Sequence, residues 1–317
     1  MEKSNVKVMN QNHGNGWFVW NGDSTQVLKG IPDNSVHYIL FSPPFINLYV
    51  YSNSERDVGN SRSDEEFWEH YQFILKELYR VLMPGRLLTQ HVMNVPALKE
   101  KDGFIGIKDF RGDVIRACQN TGFYFHSEVV VFKDAVTQMQ RTKALGLLHK
   151  QIKKDSCMSR MAIPDTIVTF RKPGENPERV THTNESYPVS KWQVIAQPIW
   201  EEYPSPVWWD INQSDTLNGK LAREDQDERH VAPLQLPVIE RCVELWTNPN
   251  DIVLDPFSGI GSTGYQSILM GRRYIGIELK ESYYNLSVKN LQAAEEKKEL
   301  QPTSLFDDEQ PTGSKTN

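Results

Sequence analysis

Short apolar runs alternate with amphipathic stretches along most of this 317-residue chain. Residues 36–41 are apolar at nearly every position, which is typical of a parallel strand buried on both faces. A capping-box start at Ser63 and apolar residues at helical spacing predict a helix that stops at Pro84-Gly85. Further strands are predicted at 86–92 and 128–132, with a helix at 114–120 between them. Strand and helix alternating in this way indicate an α/β fold with a doubly wound, mostly parallel sheet.

The alternation continues towards both ends of the chain. Residues 17–20 predict a first strand, and Ser24 is predicted to cap a helix at 25–29. Beyond residue 230 the pattern predicts, in order, helix 236–246, strand 251–254, helix 263–270, strand 273–277 and helix 282–294.

Between residues 173 and 229 the periodicity fades, and proline, tryptophan and polar residues dominate. A long irregular stretch with this many aromatic residues is typical of a functional surface rather than of a disordered linker. We therefore predict one α/β domain built from residues 17–172 and 230–297, with residues 173–229 inserted as a recognition or partner surface. Residues 1–16 and 298–317 are predicted to be flexible termini.

The composition is that of a globular enzyme-sized protein, with 38% hydrophobic residues and enough chain for one sizeable core. No run reaches the roughly 18 apolar residues that a membrane span needs, and the N-terminus lacks the apolar core of a signal peptide. We therefore expect a soluble, cytoplasmic protein. Cys118, Cys157 and Cys242 are scattered and form no cluster of zinc spacing, so no metal site is predicted.

The net charge of −6 excludes a uniformly basic surface, but the charge is unevenly distributed. Basic residues outnumber acidic ones between residues 133 and 172, whereas residues 224–228 and the C-terminal tail are acidic. Such a basic stretch favours contacts with nucleic-acid phosphates, and a solvated protein surface is an equally good explanation. The candidate phosphate contacts are Arg141, Lys143, Lys150, Lys153, Lys154 and Arg160, flanked by Lys133, Arg171 and Lys172.

A glycine loop between a predicted strand and a predicted helix has the arrangement of a nucleotide site. Gly259 and Gly261 let the backbone approach a ligand closely, and Glu278 ends the next strand, where a carboxylate can accept hydrogen bonds from ribose hydroxyls. Asp255 and Phe257 precede the glycines. A carboxylate there favours a ligand with a sulfonium and an ammonium group over a pyrophosphate. We therefore predict S-adenosyl-L-methionine as the cofactor in preference to NAD.

A second candidate site, Ser42-Pro43-Pro44-Phe45, follows the buried strand at 36–41. An exocyclic base amine is a poor nucleophile, and the Ser42 hydroxyl and a carbonyl beside Pro43 can accept hydrogen bonds from its two protons. The prolines fix the backbone, and Phe45 can stack on a base removed from its helix. The chain has no Pro-Cys dipeptide, so attack on a pyrimidine ring carbon is not predicted. Taken alone, the four residues also fit a strand-ending turn with an aromatic cap.

Together the two motifs resemble those of the β-class amino-group DNA methyltransferases, in which the catalytic motif precedes the cofactor motif. Ser42-Pro43-Pro44-Phe45 matches the [DNS]-P-P-[YFW] motif of this family. The segment that begins at His230 resembles the family segment that helps to hold the methionine end of the cofactor, and Asn21-Gly22-Asp23 resembles its G-D element near the cofactor. The cofactor motif D-P-F-x-G-x-G-[ST]-T is matched by Asp255-Pro256-Phe257-Ser258-Gly259-Ile260-Gly261-Ser262-Thr263.

The resemblance covers roughly residues 17–295 and implies a solitary, prophage-type enzyme that methylates a flipped base in double-stranded DNA. It implies that residues 173–229 recognise the target and that the chain forms a homodimer. Serine at position 42 is commoner among enzymes that modify cytosine N4, yet the chain resembles solitary enzymes that include adenine modifiers. We favour adenine N6 slightly and keep cytosine N4 as the alternative. The implied cofactor contacts are Asp23, His230, Asp255, Phe257, Ser258, Gly259, Gly261, Ser262, Thr263 and Glu278.

Three other classes of protein are alternatives at this stage. An NAD-dependent oxidoreductase would use the glycine loop but would leave Asp255 and the Ser42 motif unexplained. A catalytically silent DNA-binding module would need neither motif. An RNA or protein amine methyltransferase shares the chemistry, and only the basic stretch and the insertion favour duplex DNA. The methyltransferase hypothesis requires that folding bring Ser42 and Gly259 to neighbouring strand ends of one sheet.

Overall fold

A nine-stranded mixed sheet with helices on both faces carries the core of the chain. The computed structural model describes residues 8–44, 64–97, 99–136, 149, 153–155, 157, 161–196, 204–217 and 233–300. The strands there are β1 (Val8–Gly14), β2 (Trp17–Gly22), β3 (Val36–Phe41), β4 (Leu82–Val92), β5 (Val95–Ala97), β6 (Gly106–Lys108), β7 (Tyr124–Val131), β8 (Asp165–Arg171), β9 (Val207–Trp208), β10 (Ile252–Asp255) and β11 (Arg273–Glu278). The helices are α1 (Ser24–Val27), α2 (Asp64–Val81), α3 (Lys99–Asp102), α4 (Phe110–Thr121), α5 (Val189–Ile195), α6 (Leu236–Trp246), α7 (Ser262–Leu269) and α8 (Glu281–Glu299).

The strands of the large sheet are ordered β1-β2-β11-β10-β3-β4-β8-β7-β9, and β5 pairs separately with β6. The five strands from β2 to β4 in this order are parallel, whereas β1 and β8 are antiparallel to their neighbours. Because β7 is antiparallel to β8, it points the same way as β4. One edge of the sheet, which we call the carboxyl edge, contains the ends of β3, β4, β7 and β10 and the start of β8. The opposite edge is called the amino edge. The predicted fold class is confirmed.

Apolar faces of the helices pack on both sides of the sheet. On one side α1, α2 and α4 contribute the larger cluster, and Phe67, Tyr71 and Leu78 on α2 form the stripe that the sequence predicts. On the other side α6, α7 and α8 bury residues such as Val238 and Leu291. Strand β3 is buried at all six positions because it lies between these two helical layers.

Two features of the N-terminal region differ from the sequence-based expectation. The stretch before Trp17 is predicted to be loosely held, but Val8–Gly14 forms an edge strand that pairs with β2. Most of its side chains are exposed, so main-chain pairing makes the strand without an apolar pattern that could reveal it. The predicted helix cap is also wrong: Asp23, not Ser24, caps α1, with the Thr25 N–H donating to Asp23 Oδ1 over 2.8 Å.

Part of the predicted insertion joins the main sheet. The described residues between 173 and 217 contain one short helix, α5, and one short strand, β9. Strand β9 pairs in parallel with β7 and ends the sheet on that side. The boundaries of a separate recognition region stay a prediction. Within the described residues, none of the helices has both the length and the apolar character that a bilayer span requires.

Candidate active site

The two sequence motifs meet at the carboxyl edge. Strands β3 and β10 are parallel neighbours, with Tyr38 opposite Val253 and Ile39 opposite Leu254. Ser42 therefore follows the end of β3 beside the point at which β10 passes into the glycine loop. The ring of Phe41, which directly precedes the Ser42 motif, and the ring of Phe257 in the cofactor motif have centroids 5.6 Å apart. The spatial arrangement that the methyltransferase hypothesis requires is present.

The glycine loop adopts a conformation that only glycine accommodates well. Gly259 has φ 53° and Gly261 has φ 84°, both in the left-handed region. A Cβ at position 261 would lie 2.6 Å from the Oγ atom of Ser287, which is buried on α8. A Cβ at position 259 would meet nothing nearer than a carbonyl oxygen 4.0 Å away. Gly261 thus fixes how closely the loop packs on α8, while Gly259 leaves space above the loop.

Glu278 holds the glycine loop through its carboxylate. Its Oε2 accepts a hydrogen bond from the Gly259 N–H over 2.7 Å, and its Oε1 accepts one from the Lys280 N–H over 2.8 Å. The side chain of Asn21 donates to the carbonyl oxygens of Glu278 and Leu279, each over 2.9 Å. The structure therefore brings Glu278 to the predicted site and shows a loop-positioning role that the sequence analysis missed.

Asp255 is buried and accepts a hydrogen bond from the Phe257 N–H over 2.9 Å. Burial raises the pKa of its carboxyl group to about 7, against smaller opposing effects of the hydrogen bonds from Phe257 and Thr263. None of these groups carries a charge, so a cationic ligand would be the strongest stabiliser of the ionised carboxylate. Ser258, Ser262 and Thr263 are also buried at the loop, and the Ser258 Oγ lies 2.9 Å from the Tyr274 hydroxyl.

The predicted G-D element lies beside the same loop. Asp23 caps α1, and the neighbouring Ser24 donates its hydroxyl proton to the Pro256 carbonyl over 2.5 Å. Asp23 therefore sits one residue from a direct contact with the cofactor motif. Ser24 is a loop contact that the sequence analysis missed, because the pattern of the chain assigned this side chain to helix capping.

Ser42 is half-buried and faces a histidine on the next strand. Its Oγ lies 3.3 Å from His91 Nδ1 and 3.2 Å from the His91 carbonyl oxygen. On the far side of the ring, His91 Nε2 lies 3.0 Å from Asp165 Oδ2, at ion-pair distance although the two atoms are not aligned as a hydrogen bond. Lys133 Nζ lies 2.6 Å from the other oxygen, Asp165 Oδ1. The sequence analysis did not place these three partners at the site.

Six predicted site residues lie outside the described residues, and their positions are not tested. They are Phe45, Arg141, Lys143, Lys150, Arg160 and His230. Pro43 and Pro44 are buried behind Ser42, and Lys153 and Lys154 are exposed to solvent.

Two residues of the basic stretch, Arg171 and Lys172, lie at the amino edge and not at the carboxyl edge. Lys172 is buried, and its Nζ donates to Asn34 Oδ1 and to the carbonyl oxygens of Tyr79 and Leu82 over 2.6–2.8 Å. Arg171 and Lys172 lie at the end of the antiparallel strand β8, which is the amino edge. Burial excludes Lys172 as a phosphate contact, and a phosphate contact by the half-buried Arg171 stays a prediction.

One cluster of potential metal ligands within the described residues, His37, Glu178 and Asp251, lies at the amino edge. His37 Nδ1 accepts a hydrogen bond from the Ile252 N–H over 3.2 Å, and His37 Nε2 lies 3.1 Å from Glu178 Oε2. The guanidinium of Arg86 donates to Asp251. These contacts make the cluster a hydrogen-bonded network around Arg86, and the absence of a functional metal stays a prediction.

Comparisons with known proteins agree with this geometry. A DNA methylase family profile matches residues 36–289. The Escherichia coli K12 protein DNA adenine methyltransferase YhdJ is 40% identical over 278 residues, which cover 86% of this chain and 82% of that protein. The Bacillus subtilis type II methyltransferase M.BglII is 25% identical over 275 residues, covering 86% of this chain and 68% of that protein.

Two solved structures share the fold. The DNA modification methylase TTHA0409 of Thermus thermophilus, complexed with S-adenosyl-L-methionine, superposes with a TM-score of 0.61 at 22% identity and covers 86% of this chain and 94% of its own. The cytosine-N4-specific PvuII DNA methyltransferase superposes with a TM-score of 0.58 at 17% identity, covering 90% and 93%. The predicted amino-group methyltransferase class is confirmed by the family match. The chain belongs to the N6/N4 DNA methylase family.

Proposed function

We propose that this protein transfers the methyl group of S-adenosyl-L-methionine to the exocyclic amino group of a flipped base in double-stranded DNA, with adenine N6 favoured over cytosine N4. The observation that carries the proposal is the placement of Ser42 and Gly259 at the ends of the adjacent parallel strands β3 and β10. Substrates of open α/β sheets bind in the crevice outside the carboxyl ends of the strands.

The residues around the glycine loop fit the proposed cofactor. Gly259 leaves space above the loop. The groups that donate hydrogen bonds to the buried Asp255 carboxyl and lower its pKa carry no charge. A sulfonium and an ammonium group would supply the positive charge that this carboxyl lacks. Asp23, Phe257, Ser258, Gly261, Ser262, Thr263, Glu278 and His230 complete the proposed cofactor site. When bound, the cofactor supplies an electrophilic methyl group on positively charged sulfur.

Ser42 is the proposed orienting group for the target amine. Its hydroxyl proton has acceptors on His91, so an oxygen lone pair can turn outward to accept an N–H of the base. A second N–H is proposed to donate to the carbonyl beside Pro43. These two acceptors favour a pyramidal nitrogen whose lone pair points at the methyl carbon. Pro44 keeps the backbone rigid, and Phe45 is proposed to stack on the flipped base.

Adenine is favoured because the relative at 40% identity is a DNA adenine methyltransferase. The similarity to the cytosine-N4-specific PvuII enzyme lies at 17% identity and extends to the fold alone. Serine at position 42 can accept a hydrogen bond from either amine. We therefore keep cytosine N4 as the second candidate.

Two further parts of the proposal concern the DNA and the assembly. Exposed Lys153 and Lys154, together with Arg141, Lys143, Lys150 and Arg160, are proposed to contact the DNA backbone, and residues 173–229 to read the target. A homodimer is proposed from the family resemblance. Analytical ultracentrifugation of the protein with and without a duplex would show a dimer, and a monomer under both conditions would contradict this part.

The test is an in vitro methylation assay on unmethylated duplex DNA, followed by mass spectrometry of the released nucleosides. N6-Methyladenine is the expected product, and N4-methylcytosine would select the second candidate. Single-stranded DNA, RNA and protein substrates in parallel reactions test the preference for duplex DNA. If no substrate gains a methyl group from the cofactor, the proposed function is wrong.

A substitution at the proposed site sharpens the same assay. Ser42→Ala should lower the single-turnover rate by about a hundredfold while changing cofactor affinity by less than about twofold. Ser35→Ala is the matched control, because Ser35 lies just before the other end of β3 and donates to the Pro32 carbonyl. Equal rates for both variants would remove Ser42 from the site.

A further inference from the structure

Ser42 does not stand alone at the end of its strand. Strands β3 and β4 are parallel neighbours with Phe41 opposite Gln90, so the next residues, Ser42 and His91, come side by side. Both an imidazole nitrogen and a carbonyl oxygen of His91 lie within 3.3 Å of the Ser42 hydroxyl oxygen. The hydroxyl that is proposed to hold the amine therefore has a titratable group directly behind it.

The ring of His91 is held by a buried carboxylate. Asp165 begins β8, which pairs with β4, and its Oδ2 lies 3.0 Å from His91 Nε2. Burial raises the pKa of Asp165, but the nearby His91 and Lys133 outweigh this effect and lower the pKa to about 2. An ionised carboxylate beside Nε2 favours a proton on that nitrogen. The Nδ1 atom of a neutral ring is then a proton acceptor that faces Ser42.

The proposed reaction leaves a proton to be removed. As the amine nitrogen forms its bond to the methyl carbon, the carbon–sulfur bond breaks and its electron pair stays on sulfur. The nitrogen then carries a positive charge and must lose one proton to regain its conjugation with the ring. A serine hydroxyl can take that proton only if it gives up its own proton at the same time.

We propose that His91 receives this proton through Ser42, an inference that rests on the proposed function. The N–H proton of the methylated amine moves to Ser42 Oγ, and the hydroxyl proton of Ser42 moves to His91 Nδ1. The imidazolium that forms is stabilised by the Asp165 carboxylate and later releases its proton to solvent. Because His91 reaches the amine only through Ser42, it is a positioning and proton-accepting residue behind the catalytic group.

The charges around His91 suit a transient proton. Lys133 balances Asp165, so the group of three residues is neutral while the ring is neutral and gains one positive charge only when the proton arrives. Asp165 reaches the ring from β8, Ser42 reaches it from the end of β3, and Lys133, which follows β7, acts through Asp165. Among the described residues, Asp165 is the one charged group at ion-pair distance from this ring.

The variant His91→Asn separates proton acceptance from orientation. The asparagine Oδ1 can take the place of Nδ1 as an acceptor for the Ser42 hydroxyl, but it cannot carry the proton away at neutral pH. We expect the single-turnover rate to fall by about a hundredfold or more. The single-turnover rate of the parent should depend on pH, and this dependence should be absent in the variant, which has no imidazole behind Ser42. The matched control is His126→Asn, an exposed histidine near the amino-edge end of β7.

A second measurement does not depend on activity. The chain has eight histidines, and ¹⁵N labelling of their rings with NMR would reveal which nitrogen of each carries the proton. The His91 signal, identified by its loss in His91→Asn, should show a protonated Nε2 and an unprotonated Nδ1 in the neutral ring. Asp165→Asn should shift the proton towards Nδ1, because an amide can donate to Nε2.

The outcomes separate the two proposals. Parent-like rate and pH dependence in His91→Asn would overturn the proton transfer while leaving the methyltransferase function intact. A protonated Nδ1 in the neutral ring of the parent would overturn it as well, whatever the activity of the variant. A parent protein that methylates no substrate would overturn the proposed function, and the proton transfer with it.

Discussion

The two ends of strand β10 carry buried aspartates in opposite circumstances. Asp251 precedes the strand at the amino edge, where the guanidinium of Arg86 donates to it and the Asn248 N–H donates to it over 2.8 Å. Asp255 ends the strand at the carboxyl edge, where uncharged donors alone lower its pKa, and burial raises it to about 7. An aspartate at one end of this four-residue strand therefore has a cationic partner, and the aspartate at the other end has none among the groups that lower its pKa.

The other buried charges of the amino edge also have protein partners. Arg86 donates to the carbonyl oxygens of His37 and Glu178 as well as to Asp251, and Lys172 is surrounded by carbonyl oxygens. These groups at the amino edge have protein partners for their charges and hold chain segments together. At the carboxyl edge Asp255 has no cationic partner acting on its pKa, and Ser42 is half-buried. Asp165 at the carboxyl edge is balanced by Lys133, so the contrast belongs to Asp255, whose unneutralised carboxyl group lies where the cationic cofactor is proposed to bind.

The largest effect on stability is expected when Asp251 loses its partner Arg86. Arg86→Met leaves that carboxylate buried without its cation and should lower the free energy of unfolding by about 3–5 kcal/mol in denaturant titrations. The affinity of the folded protein for the cofactor should be nearly unchanged, because Arg86 lies at the opposite edge. Arg116→Met is the control: this exposed residue pairs with Asp113 on α4, and its loss should change the stability far less. Equal destabilisation by the two substitutions would remove the contrast between buried and exposed ion pairs.

A smaller effect is expected at the glycine loop, where Gly261→Ala can be compared with Gly271→Ala. Both glycines have positive φ, 84° and 76°, so each alanine should cost about 1–2 kcal/mol of stability in thermal or chemical unfolding. Only the Cβ at position 261 meets a neighbour, Ser287 Oγ at 2.6 Å. Gly261→Ala should therefore lose further stability and weaken cofactor binding in calorimetry, and Gly271→Ala should not. Parent-like binding by Gly261→Ala would mean that the loop need not pack on α8.

The sequence predicts most of the fold because the periodic elements are strong. The helix at 236–246 and the buried strand at 36–41 have the predicted limits, since each has an apolar pattern that tertiary packing reinforces. The meeting of Ser42 with the glycine loop also follows from the sequence, because motifs that directly follow parallel strands of one sheet lie at the same edge. Strand β1 escapes prediction because its exposed polar side chains leave no pattern.

The partners of Ser42 could not be predicted from the sequence. His91 and Asp165 lie far from Ser42 along the chain, and their meeting depends on the order β3-β4-β8 in the sheet. That order includes an antiparallel strand, which no local pattern indicates. The signal that was available is modest: His91 lies near the end of a predicted strand, and Asp165 is one of few acidic residues in a basic stretch.

The variant Asp255→Asn tests how the buried carboxyl group at the end of β10 makes the stability of the protein depend on pH. Because burial raises the pKa of Asp255 from 3.8 to about 7, the folded chain keeps the proton where the unfolded chain has released it. The stability of the cofactor-free parent should therefore fall as pH rises from about 4 to 7, and thermal unfolding of Asp255→Asn should show a weaker decline.

The same variant tests whether the Asp255 carboxyl group contributes to cofactor affinity. Cofactor binding to the parent should tighten as pH rises through about 7, because the ionised carboxylate attracts the positive charge of the ligand. Asp255→Asn should bind about tenfold more weakly at pH 8 and lose this pH dependence in calorimetry. If the variant binds as tightly as the parent at pH 8, Asp255 positions the loop through Phe257 and Thr263 without pairing with the cofactor.

The smallest expected effect on stability lies on the surface. Substituting both Lys153 and Lys154 by alanine should change the free energy of unfolding by less than about 0.5 kcal/mol, since both side chains are exposed. If they contact DNA phosphates, the slope of log affinity against log salt should fall by about 2, one unit for each lysine. The control is the double substitution of Lys297 and Lys298, two adjacent exposed lysines in the last turn of α8. The same decrease in both double variants would indicate general charge attraction, and a decrease confined to the variant of Lys153 and Lys154 would support the proposed DNA contacts of the basic stretch.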